Sequence, residues 1–473
     1  MKIQSAMLMS DWLMWSLACI VFIAFLIMRK KPHLAEPWRQ ITKRKLGMIA
    51  LVILCFYIAV GLLDCIHFQI TTTQKHTQQT SLQVKSVLDL LLGSISTEHE
   101  KTYSEPFATQ LYTQSLITLP NGKEIRTYPH LKYAATHLKN SGRSRAYDIT
   151  VRSLTGASIA IISFLILASC VIFLLAKKHH VNFSLYLKAI IRGKTNVAWR
   201  EAMLTFLIIW LFIWIAGFLI SEYHIFGTDK IGQDVFYQAI KSIRTGLVIG
   251  TLTTLFMLPF ALVLGTMAGY FHGWIDDIIQ YIYTTLSSIP GVLLISASIL
   301  VLQVYISNHP NLFPTLMQRA DARLLALCII LGITSWAGLC RLLRGETLKL
   351  RELEFIQASH ALGVKNRKII LRHIIPNVMH IVIITLVLDF SMLVLAEAIL
   401  SYVGVGVDPT TLSWGNMINS SRLELAREPI VWWPLLASLI FMFLLVLSAN
   451  LFADAVRDAL DPRLRQLEGD THA

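Results

Sequence analysis

Few residues in the 473-residue chain have the types and spacing that catalysis or ligand binding requires. The nearest approach to a phosphate-binding loop is Gly193-Lys194-Thr195. The full motif needs a glycine five residues before Gly193, and Lys188 stands there, so we predict an ordinary basic loop. The pair His179-His180 follows two lysines, which favours a solvated cluster over a set of metal ligands. With no hydrolase or metalloenzyme motif in the sequence, the chain is expected to be no enzyme and to bind no metal or cofactor itself.

Two acidic residues, Asp389 and Glu397, lie inside an apolar run. They are eight residues apart, which places them about 80° apart around a helix axis. Ionisable groups at membrane depth usually face a protein interior or a water-filled cavity. For Glu397 we favour a structural role, holding the Gly404/Gly406 segment by hydrogen bonds, over contact with a solute. For Asp389 both interpretations, pathway lining and structure, stay open.

Composition places the chain in a membrane. Hydrophobic residues make up 55% of it and charged residues only 15%, against about 25% charged in an ordinary soluble domain. The net charge of +13 comes from Lys and Arg between long apolar runs, so it predicts membrane topology and no nucleic-acid partner. The six cysteines lie in or beside apolar runs without paired spacing, which indicates neither a disulfide framework nor a zinc site.

Nine apolar stretches reach or approach the length of about 20 residues that a helix needs to cross the hydrocarbon core. They are Trp12–Met28, Leu46–Leu63, Leu154–Ala176, Ala202–Ile220, Thr245–Phe271, Ile278–Ile306, Leu324–Cys340, Ile374–Leu400 and Ile430–Ala453. We expect each to form one helix, with Pro259, Pro290 and Pro434 as kinks inside the spans. The first stretch lacks the charge order and cleavage site of a signal peptide, so it is predicted to be retained.

The connections fall into a group rich in Lys and Arg and a group poor in them, and the two groups alternate along the chain. This alternation predicts on which side of the membrane each connection lies. The richer connections, with seven, six and eight basic residues, are 29–45, 177–201 and 341–373. The poorer ones, with three, two and two, are 221–244, 307–323 and 408–429. We therefore expect a multi-pass protein with its N-terminus outside and its C-terminus in the cytoplasm.

The chain divides into regions of different character. Residues 1–201 are predicted to be an accessory region of three helices and a polar extracytoplasmic segment, 64–153, in which Val84–Leu92 suits a short amphipathic helix. That segment is either a small sensory or docking domain or an insertion with no separate activity. Recognisable motifs begin only after it, within 202–465, and residues 466–473 are a predicted cytoplasmic tail.

The cytoplasmic connection 341–376 carries the most informative pattern. It is predicted to form a short helix that bears the small residues Ala358 and Ser359, a stop at Gly363, and a second helix that enters the membrane. Small side chains let another protein approach the backbone closely, and glycine readily adopts the positive φ of a helix C-cap. Such a helix is suited to be docked against.

In this connection the sequence resembles the permease subunits of binding-protein-dependent ABC importers. Their cytoplasmic signature is Glu-Ala-Ala, three residues, Gly, nine residues, then Ile-x-Leu-Pro. Gln357, Ala358 and Ser359 take the first three places, Gly363 takes the glycine, and Pro376 ends the pattern. Gln357 replaces the glutamate, as is common in the peptide branch of the family. The resemblance implies that these five residues couple the permease to its ATPase.

A second stretch resembles the second-permease-subunit type of the dipeptide, oligopeptide and nickel branch. That type has an extracytoplasmic Gly-Thr-Asp-x-x-Gly-Arg-Asp-Val element, and Gln233 stands here in place of the arginine. We call its matching residues the outer-mouth element: Gly227, Thr228, Asp229, Gly232 and Asp234. Its two aspartates are expected to meet water, and Val235–Ile240 to rest at the membrane interface.

Glu397–Pro409, Ser413–Asn416 and Asp454–Arg465 follow the same branch, so the resemblance covers 202–465. It implies an all-α integral membrane protein of a bacterial inner membrane, a polytopic bundle with a six-helix type I importer permease core and about three extra N-terminal helices. Implied partners are a second homologous permease subunit in a heterodimer, two cytoplasmic ATPase subunits that hold ATP and Mg, and an extracytoplasmic solute-binding protein. Peptide is the implied solute, with nickel and other small solutes left open.

The alternative is a secondary transporter or channel that moves solute without ATP. That class predicts inverted internal repeats and paired broken helices in the two halves of the chain. The sequence shows no such correspondence, and a docking loop would have no purpose there. We therefore favour the permease of an ATP-driven importer.

Overall fold

The computed structural model of the protein describes residues 3–30, 32–73, 80–118, 124–140, 144–313 and 315–460. The α-helices of these residues are α1 (Met9–Arg29), α2 (Pro32–Lys43), α3 (Lys45–Asp64), α4 (Val87–Leu92), α5 (Arg145–Lys178), α6 (Phe183–Ile191), α7 (Trp199–Ile220), α8 (Val235–Phe271), α9 (Trp274–Ser288), α10 (Gly291–Asn308), α11 (Leu316–Arg351), α12 (Glu354–Ala361), α13 (Asn366–Ile369), α14 (Ile375–Val403), α15 (Trp414–Glu424) and α16 (Trp433–Leu460). The strands are β1 (Ile3–Ser5), β2 (His67–Thr73), β3 (Thr80–Ser86), β4 (Ser115–Thr118) and β5 (Glu124–Thr127). The predicted tail 466–473 lies outside the described residues.

Within the described residues, nine helical segments are long and apolar enough to cross a membrane. Three of them, α1, α3 and α5, come first along the chain. Six follow: α7, α8, α10, α11, the segment Asn366–Val403 that contains α14, and α16. The prediction of an all-α membrane bundle, with three helices added before a set of six, is confirmed.

The sixth apolar stretch does not form the single helix that was predicted. Helix α9 ends at Ser288, Ile289 is extended, and α10 begins at Gly291. The residue before a proline is disfavoured in the helical region, so Pro290 separates two helices where a kink was expected. Pro434 does not kink a helix either, because α16 begins at Trp433. In the first turn of a helix the backbone N–H has no acceptor within the helix, so a proline there breaks no hydrogen bond. Pro259 does lie inside a helix, α8.

The connection between α3 and α5, residues 64–153, has a structure of its own, and we call it the α3–α5 region. Strands β1, β2 and β3 form one antiparallel sheet in that order, and β4 pairs with β5 in a second. The prediction of one helix over Val84–Leu92 is wrong for its first three residues, which belong to β3. Ser86 ends the strand because its side chain and that of Asp89 form a capping box that starts α4.

Contacts within the chain define two compact units. The first joins Ile27–Arg244 with Leu412–Ala455, and the second joins Met7–Leu26 with Thr245–Thr411. In the first unit α5 packs along α7, where a Cβ on Gly156 would lie only 3.1 Å from the Cα of Ile215. The lack of a side chain at Gly156 therefore allows α5 and α7 to approach this closely.

Lys241 of α8 ties the α3–α5 region to the helices of the first unit. Its Nζ lies 2.7 Å from Asp64 Oδ1 and 3.0 Å from Asp89 Oδ1. Ser86 Oγ donates to Asp64 at 2.6 Å, and the Tyr237 hydroxyl donates to Asp89 at 2.9 Å. The end of α3, the start of α4 and α8 therefore meet at one buried charge cluster.

In the second unit, α8 and α11 approach closely at two glycines of α8. A Cβ on Gly265 would lie 2.8 Å from the carbonyl oxygen of Cys340, and one on Gly269 would lie 2.7 Å from that of Arg344. Arg344 also binds both carboxylate oxygens of Asp276 in α9, at 2.6 and 2.7 Å. This packing fixes the ends of α8 and α11 from which the candidate docking loop extends.

We expect Lys241→Met to lower the melting temperature of the purified protein. Removing one partner from a buried ion pair costs about 3 kcal/mol or more, because the remaining charges are uncompensated. Lys241→Arg keeps the charge and is expected to retain most of the stability. Thermal unfolding in detergent is the measurement, and equal melting temperatures for the two variants would contradict the role given to this cluster.

Candidate functional site

Helix α12 presents the small residues of the candidate docking loop to solvent. Gln357 and Ala358 are exposed and Ser359 is half-buried, whereas Ile356 is buried. The Ser359 hydroxyl donates to the backbone oxygen of Phe355, so its hydrogen does not point outward. Gly363 follows with φ of +74°, so the predicted positive φ at this stop is confirmed. No atom lies within 4 Å of a Cβ built there.

Ile356 packs α12 into an apolar core that it shares with neighbouring helices, and two hydrogen bonds join those neighbours to each other. The Ile356 side chain is 2% exposed and belongs to the same apolar core as Tyr270 and Ile369. The Tyr270 hydroxyl donates to Asn366 Oδ1 at 3.0 Å, and Arg351 donates to the backbone oxygen of Tyr270 at 3.2 Å. The packing of Ile356 therefore connects α12 to this core, and the hydrogen bonds of Tyr270 connect α8 to α11 and α13.

A groove of about 370 Å³ lies beside α12. It is lined by Tyr270, Phe271, Arg351, Glu352, Ile356, Gln357, His360, Ala361 and Asn366. The floor is apolar at Ile356 and the rim is polar at Glu352, Gln357 and His360. An apolar centre with a polar rim is the usual anatomy of a protein–protein contact.

Pro376 lies where the chain turns from the loop into the span. A π-helical turn over Ile370–Ile374 precedes α14, and Pro376 occupies its first turn. Because proline has no N–H, a carbonyl of the preceding turn loses a donor. The Asn377 side chain donates to the next carbonyl oxygen, that of His373, at 2.8 Å.

The two acidic residues of α14 have different surroundings. Glu397 is 2% exposed and accepts a hydrogen bond from Ser401 Oγ at 2.7 Å. A Cβ on Gly406 would lie 2.0 Å from that same hydroxyl oxygen, so the glycine backbone packs directly against Ser401. Asp389 is half-buried. These contacts are consistent with a structural role for Glu397. The roles of Glu397 and Asp389 stay predictions.

The outer-mouth element is a tight loop closed by its own aspartates. Asp229 Oδ1 accepts the N–H groups of Ile231 and Gln233, at 2.9 and 2.8 Å. Asp234 Oδ1 accepts the Tyr237 N–H at 3.0 Å and so caps the first turn of α8. Gln238 Nε2 donates to Asp229 Oδ2 at 2.6 Å.

Part of the expectation for this element is wrong. Asp234 was expected to meet water but is 1% exposed, whereas Asp229 remains partly exposed. The run from Val235 to Ala239, expected at the membrane interface, is also buried. The physical reason is that the α3–α5 region covers this part of the chain.

Residues 100–106 of the α3–α5 region run directly over the outer-mouth element. Glu100 N donates to the Gly232 oxygen at 2.9 Å, and Ser104 exchanges backbone and hydroxyl bonds with Thr228 at 2.7 to 3.1 Å. A Cβ on Gly227 would lie 2.2 Å from the Ser104 oxygen, and one on Gly232 would lie 1.9 Å from the Glu100 oxygen. Both glycines also have positive φ, +66° and +77°. Only glycine can adopt the positive φ and also fit where there is no room for a Cβ.

A buried row of charges lies beneath this contact. His224 Nδ1 bonds to Asp234 Oδ2 at 2.7 Å, and its Nε2 lies 3.9 Å from Glu100 Oε1, an ion-pair distance. Burial opposes a charged imidazole, but Asp234 and Glu100 together raise the pKa of His224 to about 9. Burial would also raise the pKa of Glu100, yet His224 and the N–H groups of residues 132–134 hold that pKa below its usual value. At neutral pH a cation therefore lies between two carboxylates.

Glu100, His224 and Lys241 were not singled out from the sequence. Each lies outside the motifs, and the contacts that join them to the rest of the cluster are distant along the chain: 124 residues separate Glu100 from His224, and 177 separate Asp64 from Lys241. Nothing in local spacing indicates such contacts. By contrast, the glycines of the outer-mouth element were identified because their pattern is local.

We expect Gly232→Ala to be much more destabilising than Gly93→Ala. Gly93 has a comparable φ of +59° with no atom within 4 Å of a built Cβ, so its substitution measures backbone strain alone, about 1 kcal/mol. At Gly232 the Glu100 backbone must also move. The measurement is the melting temperature of each variant, together with protease sensitivity of residues 98–106. Equal losses in both variants would contradict the close packing.

His224 gives the stability of the protein a pH dependence whose sign is fixed. Its folded pKa of about 9 lies above the ordinary value of 6.5. Its contribution is therefore complete below pH 6.5 and is lost as the pH rises through about 9. We expect the melting temperature to fall over this range, and to fall less in His224→Gln. The same fall in both proteins would assign the loss to other groups.

Comparison with known proteins adds independent findings. The family described as "Binding-protein-dependent transport system inner membrane component" matches residues 261–466. The glutathione transport system permease protein GsiD of Pectobacterium atrosepticum is 31% identical over 246 residues, which are 52% of this chain and 74% of the relative. The oligopeptide transport system permease protein OppC of Mycobacterium tuberculosis is 32% identical, over 52% and 77%. The dipeptide transport system permease protein DppC of Alkalihalophilus pseudofirmus is 33% identical, over 52% and 74%.

The family match, over residues 261–466, contains the connection 341–376 and begins after the outer-mouth element. The chain is a multi-pass inner-membrane transport subunit and not an enzyme. It belongs to the family of binding-protein-dependent ABC importer permeases, in the branch that includes the oligopeptide and dipeptide permeases.

Proposed function

We propose that this chain forms one half of the translocation pathway for short peptides in an ATP-driven importer. The observation that carries the proposal is α12, which exposes Gln357 and Ala358 beside a groove while Ile356 fixes the helix to the membrane bundle. The printed names of the relatives, which transport oligopeptides, dipeptides or glutathione, support peptide as the solute class.

The proposed assembly contains four kinds of subunit. A second, homologous permease subunit completes the pathway as a heterodimer, and a solute-binding protein delivers peptide from outside. Two cytoplasmic ATPase subunits bind ATP and Mg and dock on α12. This chain contributes no residue to hydrolysis, and its part is to convert closure of the ATPase into movement of its helices.

The route of that movement follows from the contacts of α12. Gln357, Ala358, Ser359 and Gly363 form the docking side, and Pro376 begins the span that receives the displacement. Ile356 packs the helix into a core that includes Tyr270, and Tyr270 is hydrogen-bonded to Arg351 and Asn366. The open surroundings of Gly363 let the chain turn there without disturbing packed side chains.

The proposed orientation puts the N-terminus outside and the C-terminus in the cytoplasm, supported by the alternation of basic residues. The outer-mouth element and the α3–α5 region then face outward. Residues 1–201 are an accessory region added to the 202–465 core, and their covering of the outer-mouth element supports a role in stabilising it. Within α14, Glu397 is assigned to structure, and Asp389 is the candidate for lining the pathway.

Substitution on α12 tests the proposal. We expect Ala358→Trp and Gly363→Val to abolish peptide uptake and to reduce the ATPase that co-purifies, because bulk blocks docking and a Cβ at positive φ costs about 1 kcal/mol. Expression and pairing with the second permease should persist, since the membrane helices are separate packing units. Uptake and co-purified ATPase are measured in the same membranes.

Two matched variants serve as controls. Ala358→Ser keeps the side chain small, and Gly193→Val places the same residue at a comparable φ of +66°, away from the loop. Both are expected to transport normally. Normal uptake by Ala358→Trp and Gly363→Val as well would mean that this loop does not transmit ATPase movement.

A further inference from the structure

Two basic connections of the N-terminal region are predicted to lie on the cytoplasmic side of the membrane. One joins α1 to α3 through α2, and the other joins α5 to α7 through α6. Residues 177–200 contain six Lys and Arg and no Asp or Glu, and residues 29–45 contain seven with the single acid Glu36. Each connection is bounded by two spans, so neither extends far from the membrane surface.

The two connections touch each other. The Ala198 N–H donates to the Thr42 oxygen at 2.9 Å, which brings the end of α2 against the residue that precedes α7. Their charges therefore belong to one surface, which we call the basic patch. Lys43 and Lys45 are exposed on one side of this contact, and Lys194 and Arg200 on the other.

Most of the positive charge of α6 and its flanks is not neutralised within the protein. Arg200 pairs with Glu201 at 3.0 Å. Among the described residues, Lys188, Arg192 and Lys194 have no carboxylate within ion-pair distance, and all three side chains are exposed. A cluster of unpaired cations is electrostatically unfavourable unless an anion approaches it.

Apolar side chains are exposed in the same place. Ile190 packs inward at 3% exposure, but Leu185 is 60% exposed and Ile191 is 62% exposed. The exposed apolar surface continues onto the spans, at Leu174 of α5 and Leu204 of α7. Apolar residues that continue from a lipid-facing surface onto a basic helix are typical of helices that lie in the membrane interface.

We infer that the basic patch binds the phosphate headgroups of anionic phospholipids. The acyl chains would cover Leu185 and Ile191, while Lys188, Arg192 and Lys194 reach the phosphates. An acidic protein surface would satisfy the cations but would leave those two side chains in water. Lipid satisfies both, and the position of α6 between two spans places it where lipid is. The inference does not depend on which solute is carried.

The test is native mass spectrometry of the full chain in mixed micelles with added dioleoyl phosphatidylglycerol or dioleoyl phosphatidylcholine. Each basic residue near an anionic membrane surface contributes about fivefold in affinity. We expect the protein to bind phosphatidylglycerol at least about tenfold more tightly than phosphatidylcholine. A triple variant, Lys188→Gln with Arg192→Gln and Lys194→Gln, should lose this preference. Lys188→Arg with Lys194→Arg should retain it.

A second triple variant removes equal charge elsewhere: Lys101→Gln, Arg126→Gln and Lys132→Gln in the α3–α5 region. It should bind phosphatidylglycerol as the original protein does, and inorganic phosphate should not displace the lipid. Equal affinity for the two lipids, or the same loss in both triple variants, would overturn the inference. So would unchanged lipid binding with a loss of co-purified ATPase in the first triple variant, because the patch would then be a protein contact.

Discussion

Helices α8 and α11 approach so closely at Gly265 and Gly269 that no side chain fits between them. This approach brings Tyr270, near the end of α8, to Arg351 at the end of α11, and Tyr270 belongs to one apolar core with Ile356 of α12. Closely packed interiors transmit strain, so this packing is the proposed route from α12 to the spans. The coupling account depends on this packing more than on any charged group.

The first unit is held together by different interactions. There the α3–α5 region covers the outer-mouth element through backbone hydrogen bonds, a buried charge row at His224 and a buried cluster at Lys241. Buried charges contribute little net stability, but they are costly to separate. They therefore specify one position for the α3–α5 region on α8. The α3–α5 region lies outside the family motifs, yet it packs against one of them, the outer-mouth element.

Features that depend on neighbouring residues were predicted from the sequence, whereas contacts between distant parts of the chain were missed. Apolar length gave the nine spans, and the position of Gly363 after a short amphipathic run gave its positive φ. The break at Pro290 was missed because hydropathy does not distinguish one long apolar helix from two. The burial of Asp234 was missed because its neighbour Glu100 is 134 residues earlier, and no pattern within the motif indicates that another part of the chain lies above it. The coupling residues stay a prediction, which rests on a pattern of fixed local spacing.

The most direct test of the account is transport by the complete complex in proteoliposomes, with ATP on one side and peptide-loaded binding protein on the other. The account predicts uptake only when ATP is on the side of α12 and binding protein is on the side of the outer-mouth element. Uptake should stop when either is omitted or when the two are exchanged. Uptake that continues without ATP, driven by a peptide or ion gradient alone, would contradict the account and favour a secondary transporter or channel.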